Sequence, residues 1–217
     1  MLGAIGAGER SFSLIGRAAG DLPRASLARA LVLLLAKRVV QAATPLSTRP
    51  SRETRYWVVD PHLRFWLTFL GPHLPEIERG RGDLTLDRIR RSWMAWRGRA
   101  IEPVVREALR RLPDRVPPGT AAIGGYWTRT SDPEIDLVGA DREPIAGTIT
   151  FVGSIKWQEN RPFDLHDLAR LSLHRDCMPG TDQDTPLLAV SRTGATVNGP
   201  HILTPDDLLT AYRGAQP

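Results

Sequence analysis

Cysteine, lysine and long apolar runs are all scarce in this 217-residue sequence. The one cysteine, Cys177, has no partner for an internal disulfide, which excludes a disulfide-stapled fold and predicts a reducing, cytoplasmic location. The longest apolar run, residues 30–36, is far shorter than the ~20 residues that cross a bilayer, so we predict no membrane partner. Lysine occurs twice among 29 basic residues, at Lys37 and Lys156, and all the others are arginine.

What is present is an ordinary globular composition with an uneven distribution of charge. Hydrophobic residues make up 41% and charged residues 24%, which fits one large or two small folded domains. Residues 1–118 carry 21 basic and 11 acidic side chains, whereas residues 119–217 carry 8 and 13. The basic part is suited to a polyanion such as nucleic acid, and the acidic part to metal ions or simply to solvent.

The first 80 residues follow a pattern of helix, helix and hairpin. Ser11–Gly20 and Arg24–Arg38 place apolar residues at a helical period, with a short turn between them. Val39–Ala43 and Arg55–Val59 are short runs typical of the two strands of a hairpin. This order predicts a winged helix. Its first helix is represented only by Met1–Ala7, so we expect a truncated gene, an internal start or a split partner.

Basic side chains of the predicted winged helix could bind the phosphates of a DNA backbone, which gives affinity without sequence information. The N-terminal part of the second helix is where such domains read base edges. The predicted nucleic-acid-binding residues are Arg24, Arg29, Arg49, Arg52 and Arg55, of which the last three lie on or beside the long tip of the hairpin.

The periodicity changes from helical to strand-like after residue 118. An aromatic-rich helix over His62–Leu70 and a linker over Gly71–Gly82 place the domain boundary near residue 80, giving domains 1–80 and 81–217. The fold class is α+β, a mostly helical winged helix followed by an α/β restriction-endonuclease-like domain with the order αβββαβα. Its predicted helices are Leu84–Arg97, Ala100–Leu112, Phe163–Asp176 and Thr204–Tyr212, and its strands are Ala121–Thr128, Glu134–Ala140, Thr148–Trp157 and Leu187–Ser191.

Two of these strands carry residues like those of restriction-endonuclease-like nucleases, which place an aspartate on one strand and Glu-x-Lys on the next. Alternate residues of a strand share a face, so Glu134 and Asp136 lie together, and so do Ser154 and Lys156. Carboxylate oxygens from adjacent strands suit Mg²⁺, and a lysine beside the metal can orient the attacking water. A lysine kept at this position in an arginine-rich chain favours a specific role, because a compact ammonium differs from a planar guanidinium.

Ser154 departs from the nuclease pattern, since it stands where glutamate is expected. A neutral hydroxyl is a poor metal ligand, so another carboxylate would have to complete the coordination. Two interpretations stay open: a Mg²⁺-dependent nuclease, or a degenerate site that only binds. For the nuclease, the predicted catalytic residues are Asp136, Lys156 and Glu134, and the predicted metal ligands are Asp136, Glu134 and Glu102.

Four segments, in this order, resemble the C-terminal half of archaeal and bacterial AAA-type ATPases that end in a nuclease-like domain of unknown function. They are Tyr56–Trp66, Ile123–Trp127, Glu134–Val138 and Gly153–Trp157. In that family the lysine motif usually reads Glu-Cys-Lys-Trp, and an ATPase domain precedes the winged helix. The resemblance implies an ATPase partner or a missing N-terminal domain. It implies no ATP site in this chain, which lacks a G-x-x-x-x-G-K-[ST] motif.

Two further classes of function stay open. A non-catalytic regulatory or interaction module would keep the fold and lose the site, whereas a winged-helix regulator would bind one DNA sequence far better than random DNA. In the family that the chain resembles, the winged helix often acts as a nucleotide-responsive spacer. The five histidines lack the spacing of zinc ligands, and neither Ser191 nor Cys177 has the sequence context of a nucleophile.

Overall fold

A computed structural model describes residues 1–213 of the chain, and they form two compact units. The first unit consists of Met1–Thr44 and Arg52–Trp93, and the second of Pro45–Ser51 together with the chain from Met94 onward. The fold class is α+β, with a two-stranded sheet in the first unit and a five-stranded mixed sheet in the second. None of the described helices combines the length and apolarity needed to cross a bilayer.

The first unit is mostly helical. Its elements are α1 (Leu2–Ala7), α2 (Phe12–Ala18), α3 (Arg24–Ala36), β1 (Val40–Ala43), β2 (Arg55–Val58), α4 (Pro61–Phe65) and α5 (Leu74–Glu78). Asp60 caps α4, since its carboxylate accepts a hydrogen bond from the N–H of Leu63 at 2.7 Å. A π-helical turn, Trp66–Leu70, continues α4, and β1 pairs antiparallel with β2. Buried Ile15, Leu27 and Leu31 form the centre of its core.

The second unit is built on the mixed sheet. Its elements are the later part of α6 (Gly82–Arg110), β3 (Ala122–Trp127), β4 (Glu134–Ala140), β5 (Ile149–Lys156), α7 (Leu165–Cys177), β6 (Leu187–Ser191), β7 (His201–Leu203) and α8 (Pro205–Arg213). The strand order is β3-β4-β5-β6-β7. The β3–β4 and β4–β5 pairs are antiparallel, whereas β5–β6 and β6–β7 are parallel.

Helices cover both faces of this sheet. Neighbouring residues of a strand point to opposite sides, so each strand contributes apolar side chains to both faces. On one face, Val138 and Val152 pack with Leu171 of α7. On the other, Leu137 and Phe151 pack with residues of α6 and α8, including the fully buried Leu109. The start of β4 and the end of β5 therefore lie between α7 on one face of the sheet and α6 on the other. The predicted site residues of these two strands lie there.

Three local expectations differ from the structure. The predicted break between Arg97 and Ala100 is absent, because α6 runs continuously through Gly98 and Pro103. A glycine costs a helix only ~1 kcal/mol, which the buried face of α6 outweighs. Strand β7 was not predicted, since three residues are too few for a periodic signal. The change of unit falls at Trp93, inside α6, whereas the predicted boundary lay near residue 80.

Residues 45–51 lie in the predicted long tip of the hairpin, and most of their contacts could not be expected from that prediction. Pro45, Leu46 and Ser47 are buried, and Leu46 belongs to the core of the second unit. The N–H of Leu46 donates to the carbonyl of Gly125 at 2.9 Å. A Cβ on Gly124 would lie 3.1 Å from the Leu46 side chain, so glycine permits this close approach. The segment is therefore a packed part of the second unit.

Candidate functional site

Asp136 of β4 lies beside Ser154 of β5, next to the register pair Leu137–Gly153. The Ser154 hydroxyl donates to Oδ2 of Asp136 at 3.1 Å, and the N–H of Ile155 donates to the same oxygen at 2.9 Å. A Cβ on Gly153 would lie 2.7 Å from the backbone carbonyl of Leu188, so only glycine lets β5 and β6 approach this closely here. Asp136 is thus hydrogen bonded within the sheet.

The pKa of Asp136 is raised above its ordinary value. Burial is the main cause, because it disfavours the charged carboxylate, and the negative charge of Glu102 adds to it. The hydrogen bonds from Ile155 and Ser154 act in the opposite direction, as does the nearby charge of Arg106. The net effect is a carboxyl group that ionises less readily than an exposed aspartate.

Glu102 and Arg106 reach this part of β4 from α6. Arg106 donates from Nε and Nη2 to the backbone carbonyl of Asp136, at 3.1 and 2.8 Å. Its Nη2 also lies 3.5 Å from Oε2 of Glu102, one helical turn away. The predicted ligand Glu102 is therefore near Asp136, and it is paired with a guanidinium that holds the strand.

Lys156 makes an ion pair with a residue that the sequence did not single out. Its Nζ lies 2.6 Å from Oδ1 of Asp167, whose side chain is only 2% exposed. Asp167 also forms a capping box with Asp164 at the start of α7, and Arg161 lies 3.5 Å from the same Oδ1 atom. The charge of Lys156 is thus compensated by a buried carboxylate.

Asp136, Ser154, Lys156 and Asp167 line one cavity of about 300 Å³. Its lining includes Glu134, Asp136 and Lys156, so the structure brings the three predicted catalytic residues to one place. It also includes residues from α7, which the sequence analysis missed, and these are Asp167, Arg170 and His174. Their spacing of three and four residues puts them on one polar side of a helix, and that signal could have pointed to them.

The predicted Mg²⁺ site can be tested against this donor set. Mg²⁺ demands near-octahedral oxygen ligands, usually with one or two carboxylates. Here Oδ2 of Asp136 already accepts two hydrogen bonds, and the neighbouring strand presents the neutral Ser154. Within residues 1–213, no group of three or more His, Cys, Asp or Glu side chains could hold a metal ion. The carboxylates of the predicted ligand set that line the cavity are Asp136 and Glu134, with the neutral Ser154 beside them.

The five predicted nucleic-acid-binding arginines do not all belong to one unit. Arg24 and Arg29 are exposed on α3, and the guanidinium of Arg24 lies 5.5 Å from the ring centre of Phe12. Arg52 is exposed and Arg55 is half-buried, both in the first unit, whereas Arg49 is exposed in the second.

One family model matches part of the chain. Residues 66–168 match the family model of archaeal and bacterial proteins of unknown function, DUF234. The matched region is just under half of the chain and contains Glu102, Asp136, Lys156 and Asp167. No curated protein and no solved structure matches the chain.

Proposed function

We propose that the second unit is a nuclease-like module that binds nucleic acid without cutting it. The order of its elements supports the nuclease-like assignment, since a helix, three antiparallel strands, a helix and a parallel strand follow one another. The meeting of Asp136 and Lys156 in one cavity agrees with it.

One observation carries the loss of cleavage: Ser154 donates to Asp136 at 3.1 Å. Position 154, where the nuclease pattern has an anionic glutamate, carries a neutral hydroxyl in this chain. The hydrogen bond from that hydroxyl occupies an acceptor site on Oδ2 of Asp136, the other expected metal ligand. The Lys156–Asp167 ion pair, at 2.6 Å, supports the same conclusion, because a buried carboxylate offsets the charge that the lysine would offer to a transition state.

Two cations, Lys156 and Arg170, line the cavity together with the carboxyl groups of Glu134, Asp136 and Asp167. Arg170 is exposed, and His174 lies one helical turn further along α7, on the same side. Arginine binds phosphate through its planar fork of donors, so Arg170 is the stronger candidate. Asp167 compensates Lys156, and Arg170 and His174 are therefore the cavity residues that we expect to face a phosphate.

Binding and cleavage can be tested in one set of samples. Fluorescence anisotropy with labelled single-stranded and duplex DNA should show binding that weakens with salt. Two phosphate contacts predict roughly a 12-fold loss of duplex affinity between 50 and 200 mM salt. Arg170→Ala should weaken binding and reduce the salt dependence, while Arg142→Ala, an exposed arginine elsewhere in the same unit, should not.

The same samples, supplied with Mg²⁺ or Mn²⁺, should show intact DNA on a gel. Cleavage that disappears in Asp136→Ala and Lys156→Ala would contradict the proposed loss of activity. An anisotropy that never rises at micromolar protein would contradict nucleic-acid binding itself.

The winged-helix DNA regulator is the second candidate, and it concerns the first unit. The order α1, α2, α3, β1, β2 supports a winged helix, and Arg24 and Arg29 are available on α3. However, Val32 is 66% exposed and Leu33 58% exposed on the same helix, where a DNA-reading helix presents polar side chains. These exposed apolar side chains of α3 favour a non-catalytic interaction module, with an ATPase as its partner or as a further domain, over a DNA-binding regulator.

A further inference from the structure

Two arginines meet on one glutamate at the carboxyl ends of β5 and β6. The Nη1 atom of Arg97, from α6, lies 2.6 Å from Oε1 of Glu159, and Nη1 of Arg192 lies 2.7 Å from the same oxygen. Arg192 directly follows β6, and Glu159 lies in the loop after β5. All three residues belong to the second unit, and we call Arg97 and Arg192 the arginine pair.

The charges of this group are not balanced. Two guanidinium groups converge on a single oxygen of one carboxylate, which leaves one positive charge in excess. In the part of the chain that the structure describes, Glu159 is the only acidic partner of either arginine. The hydrogen bonds from Arg97 and then from Arg192 lower the pKa of Glu159 most, so this carboxyl group stays ionised at neutral pH. The arginine pair can therefore accommodate more negative charge than Glu159 supplies.

The arginines are held by more of the surrounding structure than the carboxylate is. The Arg97 side chain is 15% exposed, and its Nη2 donates to the carbonyl of Trp157 at 3.5 Å. The backbone N–H of Arg192 donates to the carbonyl of Lys156 at 3.0 Å, which ties it to the end of β5. Glu159 is 46% exposed. Its carboxylate can therefore turn toward solvent while the two guanidinium groups stay in place.

Arg97 also has a donor that Glu159 does not use. Its Nε is buried and has no hydrogen-bond acceptor among the described residues. A buried donor without a partner is unfavourable, so a purely structural ion pair accounts poorly for this arrangement. Glu159 contacts Arg97 through one nitrogen, whereas phosphates and carboxylates bound most strongly by arginine accept from two.

We propose that the arginine pair binds a phosphate monoester group, and that Glu159 competes with this group for both guanidinium groups. A phosphate monoester presents three acceptor oxygens and carries a charge of about −1.5 to −2 at pH 7, which balances two guanidinium groups. A phosphodiester of a nucleic-acid backbone carries a single charge, so it would replace Glu159 without using the excess positive charge. The carboxyl ends of parallel strands are also where α/β sheets commonly bind ligands.

Two sources share this chemistry: a free phosphate compound, and the terminal phosphate of a nucleic-acid strand. The second source rests on the nucleic-acid binding proposed above, whereas the first does not. The phosphate site itself uses residues outside the cavity that contains Asp136 and Lys156.

Calorimetric titration of inorganic phosphate at constant ionic strength tests the site. We expect saturable, millimolar binding in the wild type that is weakened at least about tenfold in Arg192→Gln, which lacks one charged donor. Glu159→Gln should bind phosphate roughly tenfold more tightly, because the competing negative charge is gone. Circular dichroism should show that both variants are folded.

Glu107→Gln is the matched control. Glu107 also contacts two arginines, Arg110 and Arg111, but all three side chains are 43–48% exposed on α6. Its replacement should leave the phosphate affinity unchanged. Absence of binding in both the wild type and Glu159→Gln, or equal affinity in the wild type and Arg192→Gln, would overturn the inference. A lower unfolding midpoint in Glu159→Gln with no gain in affinity would also overturn it, since that is the result of a purely structural contact.

Two oligonucleotides of one sequence, with a 5′-phosphate or a 5′-hydroxyl, distinguish the two sources. If the site holds a strand end, fluorescence anisotropy should show tighter binding of the phosphorylated strand, and Arg192→Gln should remove the difference. If both oligonucleotides bind equally and inorganic phosphate binds, the ligand is a free phosphate compound. If inorganic phosphate binds and neither oligonucleotide does, nucleic-acid binding fails while the phosphate site stands.

Discussion

The ion pair between Lys156 and Asp167 should contribute measurably to stability, and Asp167→Asn tests it. The Asp167 side chain is 2% exposed and accepts from Lys156 at 2.6 Å. Removing one partner of a buried ion pair costs ~3–5 kcal/mol, because the other charge is left uncompensated. Lys156 is 22% exposed, so water compensates part of its charge, and we expect a loss of about 2–3 kcal/mol. Urea unfolding followed by circular dichroism measures this difference.

An exposed pair at the start of α6 provides the control. Arg81 and Asp83 lie 3.0 Å apart, with side chains 58% and 61% exposed, so Asp83→Asn should leave the unfolding midpoint unchanged. In a double variant, Lys156→Met with Asp167→Leu, an apolar pair replaces both charges, and its cost should be smaller than that of Asp167→Asn alone. A loss below ~1 kcal/mol in Asp167→Asn would refute the argument that the buried carboxylate needs its lysine.

Three other changes have defined outcomes. Because the pKa of Asp136 is raised in the folded chain, the folded state retains a proton that the unfolded state releases above about pH 4, and stability falls as pH rises through this window. Asp136→Asn should remove that decline, so urea midpoints at pH 5 and 8 should differ less than in the wild type. Leu46→Ala should cost about 3 kcal/mol by urea unfolding, since Leu46 is 4% exposed in the core of the second unit. Equal loss in Leu14→Ala, at a site 43% exposed, would argue against that packing. Gly153→Ala should cost about 1–3 kcal/mol, because its Cβ would meet a backbone carbonyl at 2.7 Å, and an unchanged midpoint would contradict the close approach.

The strands that carry the site were predictable from the sequence. Glu134–Ala140 and Leu187–Ser191 have the predicted bounds, because buried strands in this unit show short apolar runs between turn residues. The alternation of strand side chains also predicted that Asp136 and Lys156 would reach one place. That argument needs only the period of a strand and the pairing of neighbours along the chain.

The contacts between layers could not be predicted in this way. Asp167 reaches Lys156 because α7 packs across β5, and the helical period gives the side of a helix without giving its partner strand. Leu46 packs against β3, almost 80 residues later in the chain, where no local pattern indicates the pairing. Ser154 was recognised as a departure, but its hydrogen bond to Asp136 required the register of β4 and β5.

Calorimetric titration of Mn²⁺ into the wild-type chain and Asp136→Ala tests the central claim most directly. We predict no saturable heat at millimolar Mn²⁺ in either protein, because Ser154 stands in the position of a ligand and Asp136 is hydrogen bonded within the sheet. Saturable binding in the wild type that is lost in Asp136→Ala would show that the site takes up a metal, and would contradict a module that binds without cutting.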